Sequence, residues 1–267
     1  MYLEFLSLAS GSSGNCYYLG DSTGGILIDA GIAVRTIKKG LKDAGIAFEK
    51  ILGILITHDH FDHIKSAGVL GEKYNIPVYS TEAVLQGINK NLRTGEKIYG
   101  SGRTIEKETP FRLSDFTITA FDVPHDGTDN VGYHISRKNI QIVFATDLGH
   151  IPDNAGNYLR SADYLILESN YDDEMLKHSR YHYSLRARIS GDNGHLGNKQ
   201  TAEFLAENYT PRLKHVFLCH LSKENNHPEL VYKTIELRLA QNNIIVGKDL
   251  QITVLKRNMP TGVVILE

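Results

Sequence analysis

The sequence predicts an α/β protein in which helices cover two sheets. In the first part of the chain, short apolar runs alternate with segments whose apolar residues recur every three to four positions, as strands alternating with helices do. Between residues 97 and 143 the apolar period changes to two, which indicates antiparallel strands. The 267 residues are 41% hydrophobic and contain no Pro- or Ser-rich linker, so we expect one domain spanning residues 1–267.

Strands joined by a tight turn are expected first. Residues 2–9 alternate apolar and small side chains, and a strand is expected to resume at 16–19. The segment 10–15, Ser-Gly-Ser-Ser-Gly-Asn, can turn tightly between them because its glycines tolerate unusual backbone angles. Such turns can present backbone N–H groups to a phosphate, although most of them are simple hairpins. A further strand at 26–29 ends at Asp29.

Helices and strands then alternate until the period changes. The predicted elements are a helix at 33–44, a buried strand at 53–56, a helix at 64–74, a strand at 77–79 and a helix from Ser80 or Thr81 to about Leu92. Runs with a period of two follow at 116–123, 131–136 and 140–145. Two parts of the chain that each supply a sheet are typical of a layered α/β fold.

The strand at 53–56 runs directly into a cluster of metal-binding side chains. Its spacing is His58-x-His60-x-Asp62-His63, and these four groups can converge just beyond the strand end. Imidazole and carboxylate ligands suit Zn(II), with Mn(II) and Fe(II) as alternatives. Four ligands in six residues favour two neighbouring ions, which at about 3.5–4 Å separation can clamp a phosphodiester. The alternative is a polar turn with ordinary surface histidines.

This motif, following an apolar strand and Thr57, resembles the signature of the metallo-β-lactamase fold superfamily. The resemblance implies a four-layer αβ/βα sandwich and a supporting, non-ligating role for Asp29. It also implies a full ligand set, in which His58, His60 and His125 hold the first ion, Asp62, His63 and His220 hold the second, and Asp147 bridges both. Because all seven groups are present, a hydrolytic site is preferred, with a bridging water as nucleophile positioned by Asp62 and Asp147.

A basic segment points to the substrate. Between Met175 and Gly191 the chain has no carboxylate, and tyrosines are interleaved with four cations, Lys177, Arg180, Arg186 and Arg188. Such a cluster can follow a phosphate backbone and stack bases. The alternative is a solvated basic helix face. Asn170 is a further candidate for substrate contact at the rim of the site.

Four further motifs make the resemblance specific to one subgroup of the superfamily. They are Ala9 to Cys16, Glu168 to Tyr171, Gly194 to Leu196 and His220 to Asn226. Together they resemble the YycJ (or WalJ) subgroup in the nuclease branch of the superfamily, which is related to the transfer-RNA 3′-processing enzymes. The resemblance implies 5′-to-3′ exonuclease activity on DNA, with RNA as an alternative, and assigns His195 as proton donor with Glu168 orienting it. The long Gly-Pro-rich arm of the transfer-RNA enzymes is missing from this sequence.

The composition limits the cellular location and the binding partners that we expect for the protein. The formal charge of −2 argues against a generally basic nucleic-acid coat, so nucleic acid would have to meet a local patch. Two cysteines far apart in sequence, Cys16 and Cys219, fit a reducing cytosol, and we expect no signal peptide and no membrane segment. Tyr181 and Tyr183 could instead form a contact in a homo-oligomer.

The sequence therefore predicts a cytoplasmic dinuclear metallo-hydrolase that cleaves phosphodiesters, with DNA ends as the favoured substrate. Two alternatives stay open: a phosphodiesterase acting on small molecules such as cyclic nucleotides, and a metal-bearing binding module without catalysis. Hydrolysis of β-lactams or thioesters is less favoured, because His195 with a basic segment serves a phosphate better than an amide.

Overall fold

Fourteen strands, nine α-helices and a short 3₁₀ helix follow one another along residues 2–267, which are the residues that the computed structural model describes. They form two compact units. The first contains the chain up to Ala120 together with Gly127–Val131 and Lys256–Glu267, and the second contains Phe121–Asp126 and Gly132–Leu255.

The sheet of the first unit has seven strands. In spatial order they are β14 (Val264–Leu266), β1 (Leu3–Ala9), β2 (Cys16–Asp21), β3 (Gly24–Ile28), β4 (Ile51–Leu55), β5 (Val78–Ser80) and β6 (Gly102–Thr104). The neighbours from β14 to β3 pair antiparallel, and those from β3 to β6 pair parallel. Strands β3 and β4 therefore end at the same edge, where Asp29 and the metal motif lie.

Helices cover this sheet. They are α1 (Val34–Asp43), α2 (Phe61–Ile64), α3 (Ala67–Tyr74) and α4 (Glu82–Lys90). One apolar cluster joins the sheet to α1, α3 and α4 through residues such as Leu8, Leu41 and Ile88. The Thr81 hydroxyl accepts a hydrogen bond from the Val84 amide and so caps α4, as its sequence suggests.

Two details of this unit differ from the sequence expectation. The helix expected at 64–74 is two helices, because the chain bends at Ser66, whose amide and hydroxyl donate to the carbonyls of Ala30 and Ile32. The antiparallel assignment of residues 97–143 was wrong for β6, which pairs parallel with β5. Helix α4 connects β5 to β6, and such a crossover makes strands parallel.

The second unit is built around five strands. In spatial order they are β9 (Val131–Arg137), β10 (Ile140–Ala145), β11 (Tyr164–Glu168), β12 (His215–Cys219) and β13 (Gln251–Val254). Strands β9 and β10 are antiparallel, and β10 to β13 are parallel. Before them, β7 (Phe111–Leu113) pairs antiparallel with β8 (Phe116–Asp122), which begins in the first unit and ends in the second.

The helices of the second unit connect its parallel strands. They are α5 (Asp153–Arg160), α6 (Asp173–Lys177), α7 (Tyr183–Ile189), α8 (Asn198–Asn208) and α9 (Pro228–Gln241). An apolar cluster joins α5, α8 and α9 to the sheet through Leu159, Leu205, Leu239 and their neighbours. Within residues 2–267, no helix has the length and hydropathy that a membrane crossing requires. The expectation of one domain for residues 1–267 stays a prediction.

Candidate active site

Three residues of the expected site have a left-handed backbone. Asp29 follows β3, Asp147 follows β10 and His220 follows β12, with φ angles of 57°, 57° and 55°. A residue other than glycine in this conformation costs on the order of 1–3 kcal/mol and persists only where its surroundings hold it. The same unusual turn thus follows three strands, each time at a residue whose side chain the sequence assigned to the site.

In the first unit, Asp29 orients two histidines of the metal motif. Its Oδ2 accepts a hydrogen bond from Nδ1 of His63 at 2.7 Å, and its carboxylate also accepts from the Thr57 hydroxyl at 3.0 Å. Since that hydroxyl has only one hydrogen, its oxygen acts as acceptor for Nδ1 of His58, 3.0 Å away. Both imidazoles therefore carry their proton on Nδ1, so the lone pair of each ring lies on Nε2. The supporting role expected for Asp29 agrees with these contacts.

The Ser-Gly turn supports the metal motif from the other side. The Asn15 side chain is fully buried, and its Oδ1 accepts the Gly11 amide at 2.8 Å, while its Nδ2 lies 2.9 Å from Nε2 of His63. The amides of Gly14 and Asn15 donate to the carbonyls of Gly11 and Asp62. These amides are used within the protein, so the turn is a hairpin that braces the motif. Sequence reasoning did not identify Asn15.

The rest of the motif separates into candidate ligands and one structural acid. Oδ2 of Asp62 lies 3.7 Å from Nε2 of His63, and the His58 and His60 rings are 4.7 Å apart, so the four candidate ligands of the motif lie together. Asp59 points elsewhere, since its carboxylate accepts from the amide and hydroxyl of Thr128. Its omission from the expected ligands agrees with this contact.

The second unit brings three further candidate ligands together. Oδ1 of Asp147 lies 3.7 Å from Nε2 of His125 and 3.4 Å from Nδ1 of His220. Nδ1 of His125 donates to the Gly194 carbonyl at 2.8 Å. The three side chains follow β8, β10 and β12, so the ends of these strands supply them, as the sequence predicted.

Glu168 organises the second unit's half of the site. Its Oε1 accepts from Nδ1 of His195 and from Nδ1 of His220, both at 2.9 Å, and its Oε2 accepts the Leu148 and Leu196 amides. Burial alone would raise the pKa of Glu168, but the charge and hydrogen bond of His195 lower it and keep the carboxylate ionised. Burial likewise acts to lower the pKa of His195, yet Glu168 outweighs it and raises that pKa.

The expected pairing of Glu168 with His195 is present in the structure, and the contact with His220 was missed. Asp147, Glu168, His195 and His220 lie close enough to one another to hold a metal ion. The expected ligand set contains neither Glu168 nor His195. A carboxylate that is already bonded to two imidazoles is better suited to orienting them than to binding the ion itself.

A common pattern tests whether these residues suit a metal. Four of the five histidines among the candidate ligands place Nδ1 against an oxygen: His58 against Thr57, His63 against Asp29, His125 against Gly194 and His220 against Glu168. Histidines that ligate metals nearly always have such a partner, which fixes the tautomer and directs Nε2 to the ion. Together with the aspartates, the donor set fits a borderline divalent ion and indicates a divalent-metal site.

The expected substrate-binding residues have different surroundings. Asn170 is buried, with 3% of its surface exposed, and its Nδ2 donates to the His220 carbonyl at 2.8 Å. It therefore supports the turn at His220 instead of lying at the rim. Lys177 and Arg180 are exposed, and Arg186 donates to the Lys177 carbonyl.

Two cations of the basic segment have acidic partners in the folded chain, although the segment itself contains no carboxylate. Arg188 pairs with Asp126 through two hydrogen bonds, one of them 3.1 Å long, and Nζ of Lys177 lies 3.9 Å from Glu174. Both acids lie outside the segment, which runs from Met175 to Gly191. Folding brings Asp126 to Arg188 across 62 residues, which a count along the chain cannot reveal.

Comparison with known proteins identifies relatives of this chain. The family model described as "Beta-lactamase superfamily domain" matches residues 25–220. The exodeoxyribonuclease YycJ of Bacillus anthracis is 34% identical over 98% of this chain and 99% of the relative. The exodeoxyribonuclease WalJ of Streptococcus pneumoniae serotype 2 (strain D39) is 35% identical over 93% of each chain.

A solved structure confirms the fold class. The metallo-β-lactamase fold protein YhfI from Bacillus subtilis matches with a TM-score of 0.70 over 97% of this chain and 99% of that one. At 17% sequence identity this likeness concerns the fold alone. The predicted fold class is therefore confirmed.

Proposed function

Because the chain belongs to the β-lactamase superfamily, and within it to the family of the YycJ and WalJ exodeoxyribonucleases, we propose that it is a metal-dependent nuclease that degrades DNA from the 5′ end. The observation that carries this proposal is the set of four histidines bonded through Nδ1, beside the His195 and Glu168 pair. Phosphodiester hydrolysis can use a metal site to activate water and a separate acid to protonate the leaving group.

We propose that two divalent ions, Zn(II) or Mn(II) with Fe(II) as an alternative, are held by seven side chains. These are His58, His60, Asp62, His63, His125, Asp147 and His220. When bound, such ions lower the pKa of a water molecule towards neutrality and neutralise charge on the scissile phosphate. The chain's own contribution is to orient the ligands through Asp29, Thr57, Glu168 and the Gly194 carbonyl.

Proton transfer belongs to His195 and Asp62 in this proposal. Glu168 accepts from Nδ1 of His195, which leaves Nε2 to donate a proton to the departing oxygen. Glu168 also favours the protonated imidazole by raising its pKa. Asp62 and Asp147 accept hydrogen bonds from the attacking water and so direct its lone pair at the phosphorus.

The substrate is proposed to be DNA, on the strength of the two relatives named exodeoxyribonuclease. Lys177 and Arg180 are exposed and available to phosphates, and Arg186 lies beside them. A cytoplasmic location follows as a proposal from such a substrate and from the two buried cysteines, Cys16 and Cys219, which are not joined in a disulfide.

End-labelled substrates test this function. The metal-loaded protein would be given single-stranded DNA, duplex DNA and RNA of the same sequence, labelled at either end, and also bis(p-nitrophenyl) phosphate. We expect early release of the 5′ label from DNA and no release by Asp147→Ala, whereas Asp43→Ala, which changes an exposed acid on α1, acts like wild type. Survival of all strands while the small diester is hydrolysed would overturn the nuclease in favour of a small-molecule phosphodiesterase.

A further inference from the structure

A groove of about 490 Å³ lies between α6 and α7 in the second unit. Ligand sites typically have volumes of roughly 300–1,000 Å³, so it could hold a group of nucleotide size. Its lining includes Tyr171, Leu176, Lys177, Tyr183, Arg186 and Ser190. Two of these residues, Lys177 and Arg186, are cations that the proposed function places near the substrate.

The charge of the groove is suited to an anion. The Arg186 side chain donates to the Lys177 carbonyl, which holds its guanidinium at the wall, and Lys177 itself is exposed. The one carboxylate in the lining, Asp173, lies 2.9 Å from Lys199, which compensates its charge. Two cations therefore face the groove, and Asp173 already has its own partner. Glu174 lies 3.9 Å from Lys177, but both side chains are exposed, where an ion pair is weak.

The aromatic residues suit a base. Tyr183 is 73% exposed at the start of α7, whereas Tyr171 and Leu176 are buried and form an apolar surface below. An exposed tyrosine beside cations is the combination with which proteins hold unpaired nucleotides, because every base can stack on an aromatic ring.

Backbone hydrogen bonds connect both walls of the groove to the loop that carries His195. On one side, the amide of His195 donates to the carbonyl of Ile189, next to Ser190, at 2.8 Å. On the other, the Tyr171 carbonyl accepts the Asn198 amide at 2.8 Å. A strand whose scissile phosphate meets His195 thus has this groove as a neighbouring surface within the same unit.

We propose that the groove binds one unpaired nucleotide of the substrate strand, with its base stacked on Tyr183 and its phosphate between Lys177 and Arg186. This inference rests on the proposed nuclease function and deepens it. A base within a duplex is stacked on both sides and cannot enter the groove, so the strand must be single at this point. The enzyme is then specific for single-stranded DNA or for frayed and overhanging ends.

Binding to a hydrolysis-resistant strand tests the groove directly. The probe is a phosphorothioate-linked thymidine hexanucleotide with a fluorescent label, titrated with the full-length, metal-loaded protein and followed by fluorescence polarisation. We expect Tyr183→Ala and Arg186→Ala to weaken binding at least about tenfold, and Tyr183→Phe, which keeps the ring, to bind like wild type. Tyr99→Ala and Lys248→Ala, at exposed positions elsewhere, are matched controls and should leave binding unchanged.

An abasic strand completes the test. Wild type should bind it as weakly as Tyr183→Ala binds the thymidine strand. Equal binding of the two strands by wild type, or unchanged binding by Tyr183→Ala, overturns the proposal. Unmodified DNA separates the two hypotheses: hydrolysis by Tyr183→Ala with the wild-type KM rejects the groove and leaves the nuclease, while base-dependent binding without any hydrolysis by wild type rejects the nuclease and leaves the groove.

Discussion

Glu168 shows how one residue can set the geometry of a site. It is fully buried, and its two oxygens accept four hydrogen bonds, from two imidazoles and two backbone amides. A buried carboxylate is stable only when it is bonded in this way, and removing a partner is costly because the remaining groups are already desolvated. The candidate proton donor His195 and the candidate ligand His220 are therefore oriented by the same oxygen atom.

The role of His195 can be separated from a structural one by the choice of leaving group. We expect His195→Ala to lower kcat on a DNA strand about 10²–10⁴-fold, because the departing alkoxide then leaves without a proton. A p-nitrophenyl ester of thymidine 5′-phosphate needs no such proton, and its hydrolysis should fall far less. Equal losses on both substrates would contradict the role of proton donor.

His215, away from the site, makes the stability of the second unit depend on pH. Burial beside Phe217, on which the ring stacks, lowers the pKa of His215 to about 4, from an ordinary value of about 6.5. The unfolded chain therefore binds a proton between these values while the folded chain does not. The stability due to neutral His215 is complete above about pH 6.5 and is lost as the pH falls towards 4.

The variant His215→Gln removes this titration while keeping a polar side chain near the Thr253 hydroxyl, which lies 2.8 Å from Nε2 of His215. Denaturant unfolding of both proteins at several pH values would measure the effect. Wild type should lose more unfolding free energy than the variant on going from pH 6.5 to 4. Parallel curves for the two proteins would contradict the assignment.

Sequence reasoning at the residue scale succeeded where chemistry is local and missed contacts made across the fold. The four candidate ligands from His58 to His63 follow one strand, so their proximity could be derived from spacing. Asn15 contacts His63 from 48 residues away, and an asparagine after glycine is equally typical of an ordinary turn. Asn170 was expected at the rim but is buried, because the burial of a side chain depends on the packing of the whole unit and cannot be derived from its neighbours in sequence.

At the scale of elements, the turn at Ser10–Asn15 acts as a brace for the metal motif. Asn15→Ala removes both side-chain hydrogen bonds to Gly11 and so loosens the turn from which the residue-15 amide holds the Asp62 carbonyl. We expect metal affinity to fall about 10–100-fold, as for other residues that orient ligands. Ser12→Ala, at an exposed position of the same turn, is the matched control. Competition with a chelator of known affinity measures the change, and equal affinities for both variants would contradict a bracing role.

The cations of α6 and α7 have different partners. Arg188 on α7 is bonded to Asp126, next to His125, whereas Lys177 at the end of α6 has an exposed side chain. The logarithm of the affinity for single-stranded DNA falls with the logarithm of salt concentration, by about 0.7 for each phosphate contacted. Lys177→Ala should therefore reduce this slope by about 0.7, while Arg188→Ala should leave it nearly unchanged. A larger change for Arg188→Ala would show that Arg188 contacts the strand.

The positions of the strands could be predicted from the sequence more reliably than the neighbours with which the strands pair. The period of two located β8, β9 and β10, and the apolar run located β4, because those patterns depend only on which faces are buried. The parallel partner of β6 could not be read from three residues, since its pairing is decided by the helix before it. The bend between α2 and α3 likewise depends on hydrogen bonds to another loop.

At the scale of the whole molecule, both units supply histidines whose Nδ1 is bonded to an oxygen. The first unit supplies His58 and His63 and the second His125 and His220, each fixed through Nδ1 by an oxygen of its own unit. The order of these residues along the chain could be taken from the family resemblance. The substrate groove could not, because it is formed by α6 and α7 together with Tyr171, and no periodic pattern marks such a surface.

Metal content tests the central claim most directly, since every proposed step depends on the two sets of ligands. Wild type, His58→Ala, His220→Ala and His195→Ala would be reconstituted with Zn(II) or Mn(II), freed of excess metal and measured by inductively coupled plasma mass spectrometry, alongside DNA hydrolysis. We expect about two ions per chain in wild type and His195→Ala, and fewer, with loss of hydrolysis, in the two ligand variants. Full hydrolysis by protein that holds no divalent ion, or unchanged metal content in both ligand variants, would contradict the account.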